Sequence, residues 1–307
     1  MKFNYKLFGK ILFLIGILTP IAFGLRIFTY WKELEIPSGF FLGKGAGCIA
    51  FNILCFAVFF LCLFLTYHKN GSSVESSGES SARHFNSDGD SLLVHNEEIF
   101  DEERDFPQFF LHGFARKCAV WFGAFSAFAA LLPGFGLISH AISFVVEKEM
   151  LDDPYCIIYA ALSLASGAFF LLYAFRNSSE RSRPMAFFAL VPALWCTMRM
   201  VIEYRDLTRF LNKSLYVGQF LFVIAAMIFF LYQAQMLLGE ENFSRPNAYA
   251  FSGLAVAFLG VTARLPQLFA IMGERIHIDL YTSTSLLADL GITVFIVAKL
   301  LATTKRS

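Results

Sequence analysis

Charge is what this sequence has least of. Asp, Glu, Lys and Arg together make up 16% of its 307 residues, against about 25% in an ordinary soluble domain. With 57% hydrophobic residues and a mean hydropathy of +0.58, lipid is the expected solvent for most of the chain. Catalytic signatures are missing as well. There is no HExxH pair, no GxSG or GxSxG stretch, no GxGD motif and no Walker loop. That removes the sequence grounds for a metalloprotease, a serine or aspartyl membrane protease, or a nucleotide hydrolase. Cysteine is sparse and unpaired: six residues stand at 48, 55, 62, 118, 156 and 196, with no CxxC among them. Neither a disulfide framework nor a metal site is expected. His68, His84, His95 and His112 are too widely spaced along a polar loop to suggest one either. No cofactor is implied, and no soluble segment is of a kind that binds nucleic acid.

What the chain does have is phenylalanine, 38 copies, a side chain apolar enough to face lipid and well shaped to pack between helices. A membrane span needs about 20 mostly apolar residues. Eight stretches qualify: 8–30, 46–67, 115–145, 155–175, 184–203, 215–238, 248–271 and 280–302. The fold class is therefore all-α, a polytopic integral membrane protein. Lys2, Lys6 and Lys10 precede a first apolar run that continues to about Tyr30 without a small-x-small cleavage site. It reads as an uncleaved span rather than a signal peptide. The third stretch is too long for one straight helix and contains Leu132-Pro133-Gly134-Phe135-Gly136. Proline deletes a backbone hydrogen bond, so a kink or break is expected there.

Between the second and third spans, residues 68–112 carry ten acids against Lys69, Arg83 and Arg104, with many Ser and Gly. Such a segment has too little apolar surface to offset the entropy of ordering. It is expected to be a disordered acidic loop, either a tolerated linker or a tail that binds a cytosolic protein. It divides the chain into a first hairpin (1–67), the loop (68–112) and a six-helix region (113–307). Orientation follows from the basic residues that flank the spans. With the N-terminus inside, fifteen Lys and Arg fall on the inner side and seven on the outer. A multi-pass protein of the plasma membrane, both termini cytoplasmic, is the expectation.

The spans also repeat. Arg199 aligns with Arg264, and sixteen residues later Leu215-Tyr216 aligns with Leu280-Tyr281 without a gap. Phe229-Phe230 then aligns with Val294-Phe295, and the outline recurs as Pro133, His140 and Phe169-Phe170, and as Pro20, Arg26 and Phe59-Phe60. Four helical hairpins arranged as parallel repeats would produce this. Small residues along 160–168 would let the fourth span pack centrally. Cys48, Cys55 and Cys62, seven apart, read as a packing stripe.

Ionisable residues within spans cost about 2.5–3.5 kcal/mol each on insertion scales. Arg26, His140, Arg199 and Arg264 lie toward the outer end of the first helix of each hairpin. An acid follows seven residues later in three of them, Glu33, Glu147 and Asp206, while the fourth has Glu274 ten residues on. Either the arginines snorkel to the headgroups, or the cations converge on a central axis as candidate ligand-binding residues for an anionic or zwitterionic small molecule. Asp289 is the only acid deep within a span. At a rise of about 1.5 Å per residue it lies about 12 Å below the outer end of its helix, and Arg264 about 10 Å below that of the preceding one. The depths match, so an Arg264–Asp289 ion pair is expected, as structural glue or as part of a substrate or proton site.

Arg264-Leu265-Pro266-Gln267 resembles the RxPQ signature of PQ-loop membrane proteins. The likeness is confined to the last hairpin. That family is built on three-helix units, where these are two-helix units, so nothing of its activity is carried over. Gly24-Leu25-Arg26 followed by Pro37-Ser38-Gly39-Phe40-Phe41 resembles segments of uncharacterised bacterial multi-span proteins, over about one hairpin, and implies no activity. The functional expectation is small-molecule or ion binding or transport from an outward-facing polar pocket. The alternatives are a membrane scaffold or signalling subunit that recruits a partner through the acidic loop and, least supported, a membrane-embedded enzyme.

Overall fold

The computed structural model describes residues 5–33, 45–68, 114–147, 154–175, 183–209, 215–238, 246–273 and 280–302. The acidic loop expected at 68–112 falls, beyond His68, outside the described residues. Every element among them is helical. Helix α1 covers Tyr5–Phe28 and runs on into a π-helical turn, Thr29–Glu33. Then follow α2 (Ala46–His68), α3 (Phe114–Glu147), α4 (Pro154–Phe175), α5 (Arg183–Arg209) and α6 (Leu215–Leu238). The seventh span is composite: α7 (Pro246–Leu259), a π-helical turn (Gly260–Arg264) and α8 (Leu265–Met272). Helix α9, Leu280–Ala302, ends the bundle. Eight of these helical segments are long and apolar enough to cross a membrane, and they coincide with the eight apolar stretches of the sequence.

Helices α3 to α9 close a ring in chain order. Helix α3 packs on α4, α4 on α5, α5 on α6, α6 on α7, α7 on α9, and α9 returns to α3. Helices α1 and α2 lie outside this ring: α2 rests on α7 and α6, and α1 on α2, α8 and the second π turn. The seventh span is consequently covered on most sides. About 67% of it is buried, against 44% for α4, so the central helix is α7 and not α4. The small residues of α4 divide between two faces. Ser163, Ser166 and Gly167 point inward, while Ala161, Ala165 and Ala168 are exposed. Cys48, Cys55 and Cys62 line the buried face of α2, as a packing stripe would.

Of the kink or break expected at Pro133, the break does not occur: α3 is continuous from Phe114 to Glu147. Close packing against a neighbouring backbone accounts for this. A Cβ on Gly291 of α9 would stand 2.7 Å from the Pro133 nitrogen, and one on Gly136 would stand 2.8 Å from the Ala288 Cα. Two helix backbones thus lie in contact through glycine, and the proline nitrogen, which has no proton to donate, faces a partner that demands none.

The break occurs instead at Gly260–Arg264, where a π turn accommodates an extra residue. Gly260 abuts the side chain of Thr293, whose hydroxyl donates to the Asp289 carbonyl at 2.8 Å. Arg264 lies four residues beyond Gly260, and Asp289 four residues before Thr293. In antiparallel neighbours that contact sets the register at which the two charges meet.

Candidate functional site

Asp289 is fully buried near the middle of α9, and two guanidinium groups hold it. Arg199 of α5 reaches across the ring and grips it bidentately, Nη1 donating to Oδ1 at 2.5 Å and Nη2 to Oδ2 at 2.9 Å. The same Nη2 donates to Ser285 Oγ at 3.1 Å, and Nε donates to Glu203 Oε1 at 2.7 Å. Four of the five N–H donors of Arg199 are thereby used, and its guanidinium lies 5.3 Å from the Trp195 ring. Arg264 forms the second ion pair, Nη2 to Asp289 Oδ2. Its Nη1 donates to Gln267 Oε1 at 3.1 Å, an oxygen that also accepts from Gln219 Nε2 at 3.2 Å. Two arginines face two carboxylates, so the group is formally neutral. Low dielectric makes each pair strong, and a buried charge left single would be strongly destabilising.

A neutral hydrogen-bonded chain adjoins the charges. His140 of α3 meets Tyr159 Oη of α4 through Nε2 at 2.8 Å and Thr284 Oγ1 of α9 through Nδ1 at 3.3 Å. Ser143 Oγ lies 2.7 Å from the same Thr284 hydroxyl. Tyr159 stacks on Trp195 at 6.3 Å, and Trp195 Nε1 donates to Ser163 Oγ at 2.7 Å. Thr284 is next in sequence to Ser285, so α9 carries both networks. Tyr159→Phe should cost about 1–3 kcal/mol, because the His140 nitrogen loses its buried partner. Chemical denaturation of the purified protein in detergent checks this, and an unchanged midpoint would contradict it.

Beyond the charges, toward the C-terminal end of α9, the interior closes with aromatic rings. Phe170 of α4 packs edge-on against Phe230 of α6 at 5.7 Å and Phe295 of α9 at 5.1 Å, and none of the three is exposed. Phe295 is six residues past Asp289, about 9 Å along the helix. The opposite end is lined by rings as well, Phe144, Tyr159 and Tyr281, but along α9 and α5 burial relaxes there. Along α9, exposure rises from 0% at Asp289 to 8% at Ser285 and to half-buried at Tyr281. On α5 the side chain goes from 2% at Arg199 to 14% at Glu203.

Of the five candidates from the sequence, the structure brings together His140, Arg199, Arg264 and Asp289. Arg26 is linked to them through Tyr30, which bonds to Arg26 and lies within electrostatic reach of Arg264. Arg26 is buried between α1 and α2, 5.0 Å from the Tyr30 ring and 4.6 Å from the Phe51 ring, a cation–π setting. None of the three arginines snorkels; all are buried within the bundle. The Arg264–Asp289 pair forms as expected, but the bidentate partner of Asp289 is Arg199, which the depth comparison did not pair with it. The acids seven residues on do not enter this account: the side chains of Glu33, Glu147 and Asp206, and all of Glu274, lie outside the described residues. Arg199 pairs instead with Glu203, a spacing of four, the ordinary distance for a helical ion pair. Ser285, Thr284 and Tyr159 are not marked by the sequence, and Gln267 is marked only as part of the Arg264-Leu265-Pro266-Gln267 stretch. For Thr284 and Ser285 the signal is a polar run from Tyr281 to Ser285 inside an apolar span.

Comparison with protein-family models, with curated proteins and with solved structures gave no match.

Proposed function

We propose that this chain is a multi-pass plasma-membrane protein that binds or transports a small molecule or ion at the Arg199–Arg264–Asp289 centre, reached from the outer side. One observation carries the reading. The charged centre has an aromatic floor at Phe170, Phe230 and Phe295, while burial relaxes in the other direction, through Ser285 to Tyr281 and from Arg199 to Glu203. Discontinuous helices that present charges near the bilayer midplane are a recurrent way to build such sites, and the π turn before Arg264 is a discontinuity of that kind. With both termini cytoplasmic, the relaxed end faces outward.

The repeat belongs to the same proposal. Four hairpins, α1–α2, α3–α4, α5–α6 and α7–α9, are parallel copies. In support, His140, Arg199 and Arg264 stand on the first helices of the last three and gather at one centre. Phe170, Phe230 and Phe295 stand on the second helices and gather below it. The acidic segment 68–112 is proposed to be a disordered cytoplasmic loop available to a partner protein. The second reading, a membrane scaffold, draws support from the neutrality of the centre, since a purely structural lock would also be neutral.

Access discriminates the two. In a background with the native cysteines replaced, Ser285→Cys should react with a membrane-impermeant thiol reagent added outside intact cells, and not with the same reagent confined to the cytoplasmic face. Labelling from the cytoplasmic face alone, or none over hours, would sink the binding-site reading and favour the scaffold.

A further inference from the structure

We infer that the ligand of this site carries a small oxyanion, a carboxylate or a phosphate, and that it takes the place of the Glu203 carboxylate on Arg199. The inference rests on the proposed binding function and names its ligand class. Asp289 is the fixed anion of the centre, with no exposed surface and a guanidinium on each oxygen. Glu203 is different. It holds Arg199 through one oxygen, Oε1 to Nε at 2.7 Å. Its second oxygen, Oε2, is buried and has no hydrogen-bond partner among the described residues. Its side chain is 14% exposed and lies one helical turn nearer the relaxed end of the bundle.

A carboxylate so placed is a tethered stand-in. It neutralises the second arginine of the centre but is bonded on one side only. When Glu203 swings outward into water, the centre keeps two guanidiniums and one carboxylate, a net charge of +1. Arg199 Nε is then a vacant charge-assisted donor. Arg264 Nε is already buried without an acceptor among the described residues, on a side chain 3% exposed. One monoanionic headgroup restores neutrality and can accept through more than one oxygen, as arginine favours for carboxylate and phosphate. A cation would meet the wrong sign of charge, and a neutral solute would leave the charge unbalanced. The exchange also gives Glu203 a function that simple packing does not: it sets how tightly the anion binds, because the two compete for one donor.

The test uses the purified full chain in a neutral maltoside detergent, titrated with acetate or inorganic phosphate against chloride at constant ionic strength, with thermal unfolding as the readout. Glu203→Gln keeps the size of the side chain and removes the competing charge. It should bind acetate or phosphate at least tenfold more tightly than the parent. Glu203→Ser, which also removes the reach, should show the same gain, so misfolding of one variant leaves the other to decide. Mixed micelles of phosphatidic acid, compared with phosphatidylcholine, separate the sources. A gain with acetate or phosphate identifies a free solute, and a gain with phosphatidic acid alone identifies a lipid headgroup; both uphold the oxyanion. No gain in any arm, or weaker binding by both variants, overturns the inference. If Ser285→Cys is then still labelled from outside, the site reading survives with a ligand of another class. If it is not, both fall.

Discussion

Asp289→Asn should lower the melting temperature in detergent more than any other single substitution at the charged centre. The change is nearly isosteric, so the loss is electrostatic. It leaves Arg199 and Arg264 buried together with only Glu203 to balance them. Deleting one partner of a buried pair costs about 3–5 kcal/mol, and here one deletion strands two partners. Arg199→Leu should rank second. It removes the bidentate grip and leaves Glu203 unpaired, but Asp289 keeps Arg264. Arg264→Leu should rank third, because Asp289 retains both bonds from Arg199 and the neighbouring Gln267 still accepts from Gln219. Melting curves of the three variants give the order directly. Arg264→Leu falling below Arg199→Leu would mean that the last two spans, not the helix across the ring, hold the acid.

The second large effect is steric. Gly291→Leu should separate α3 from α9, and Gly136→Leu should do the same from the other side. At Gly291 even a Cβ would meet the backbone of Leu132 and Pro133, within 2.9 Å of the Leu132 carbonyl carbon. Backbone atoms have no rotamer to move aside. Overpacking of this kind typically costs about 1–3 kcal/mol and occasionally more, and a leucine against a main chain belongs at the upper end. Gly16→Leu is the control, because nothing lies within 4 Å of a Cβ there. Comparable melting temperatures for Gly291→Leu and Gly16→Leu would refute the backbone contact.

The spans were legible because lipid imposes a one-dimensional rule: a run of sufficient apolar length must cross as a helix. Asp289 was legible for the same reason, as the one deep acid. Its main partner was not. Depth along a helix can be counted from sequence, but which helix lies opposite is settled by ring closure, and Arg199 stands 90 residues away. Arg264 was easier because its helix is next to that of Asp289 in the chain. The helix break was misplaced for a related reason. Pro133 carries the usual signal, yet glycine on α9 supports it, whereas the Gly260–Arg264 turn is broken by Pro266, which follows it and denies a hydrogen bond to the preceding turn. Glu203 is masked in the sequence by Asp206, which carries the seven-residue spacing that Glu33 and Glu147 share.

The charged centre depends most on one contact, Arg199 to Asp289. A double-mutant cycle with Arg199→Leu, Asp289→Leu and the pair measures it, since the coupling term isolates the interaction from each side chain's other contacts. The two losses should be less than additive, with a coupling of about 2–3 kcal/mol, because the double variant loses the shared contact once, although Arg264 and Glu203 stay unpaired in it. Additive losses would contradict the charged centre, for they would mean that the two side chains act in separate parts of the bundle.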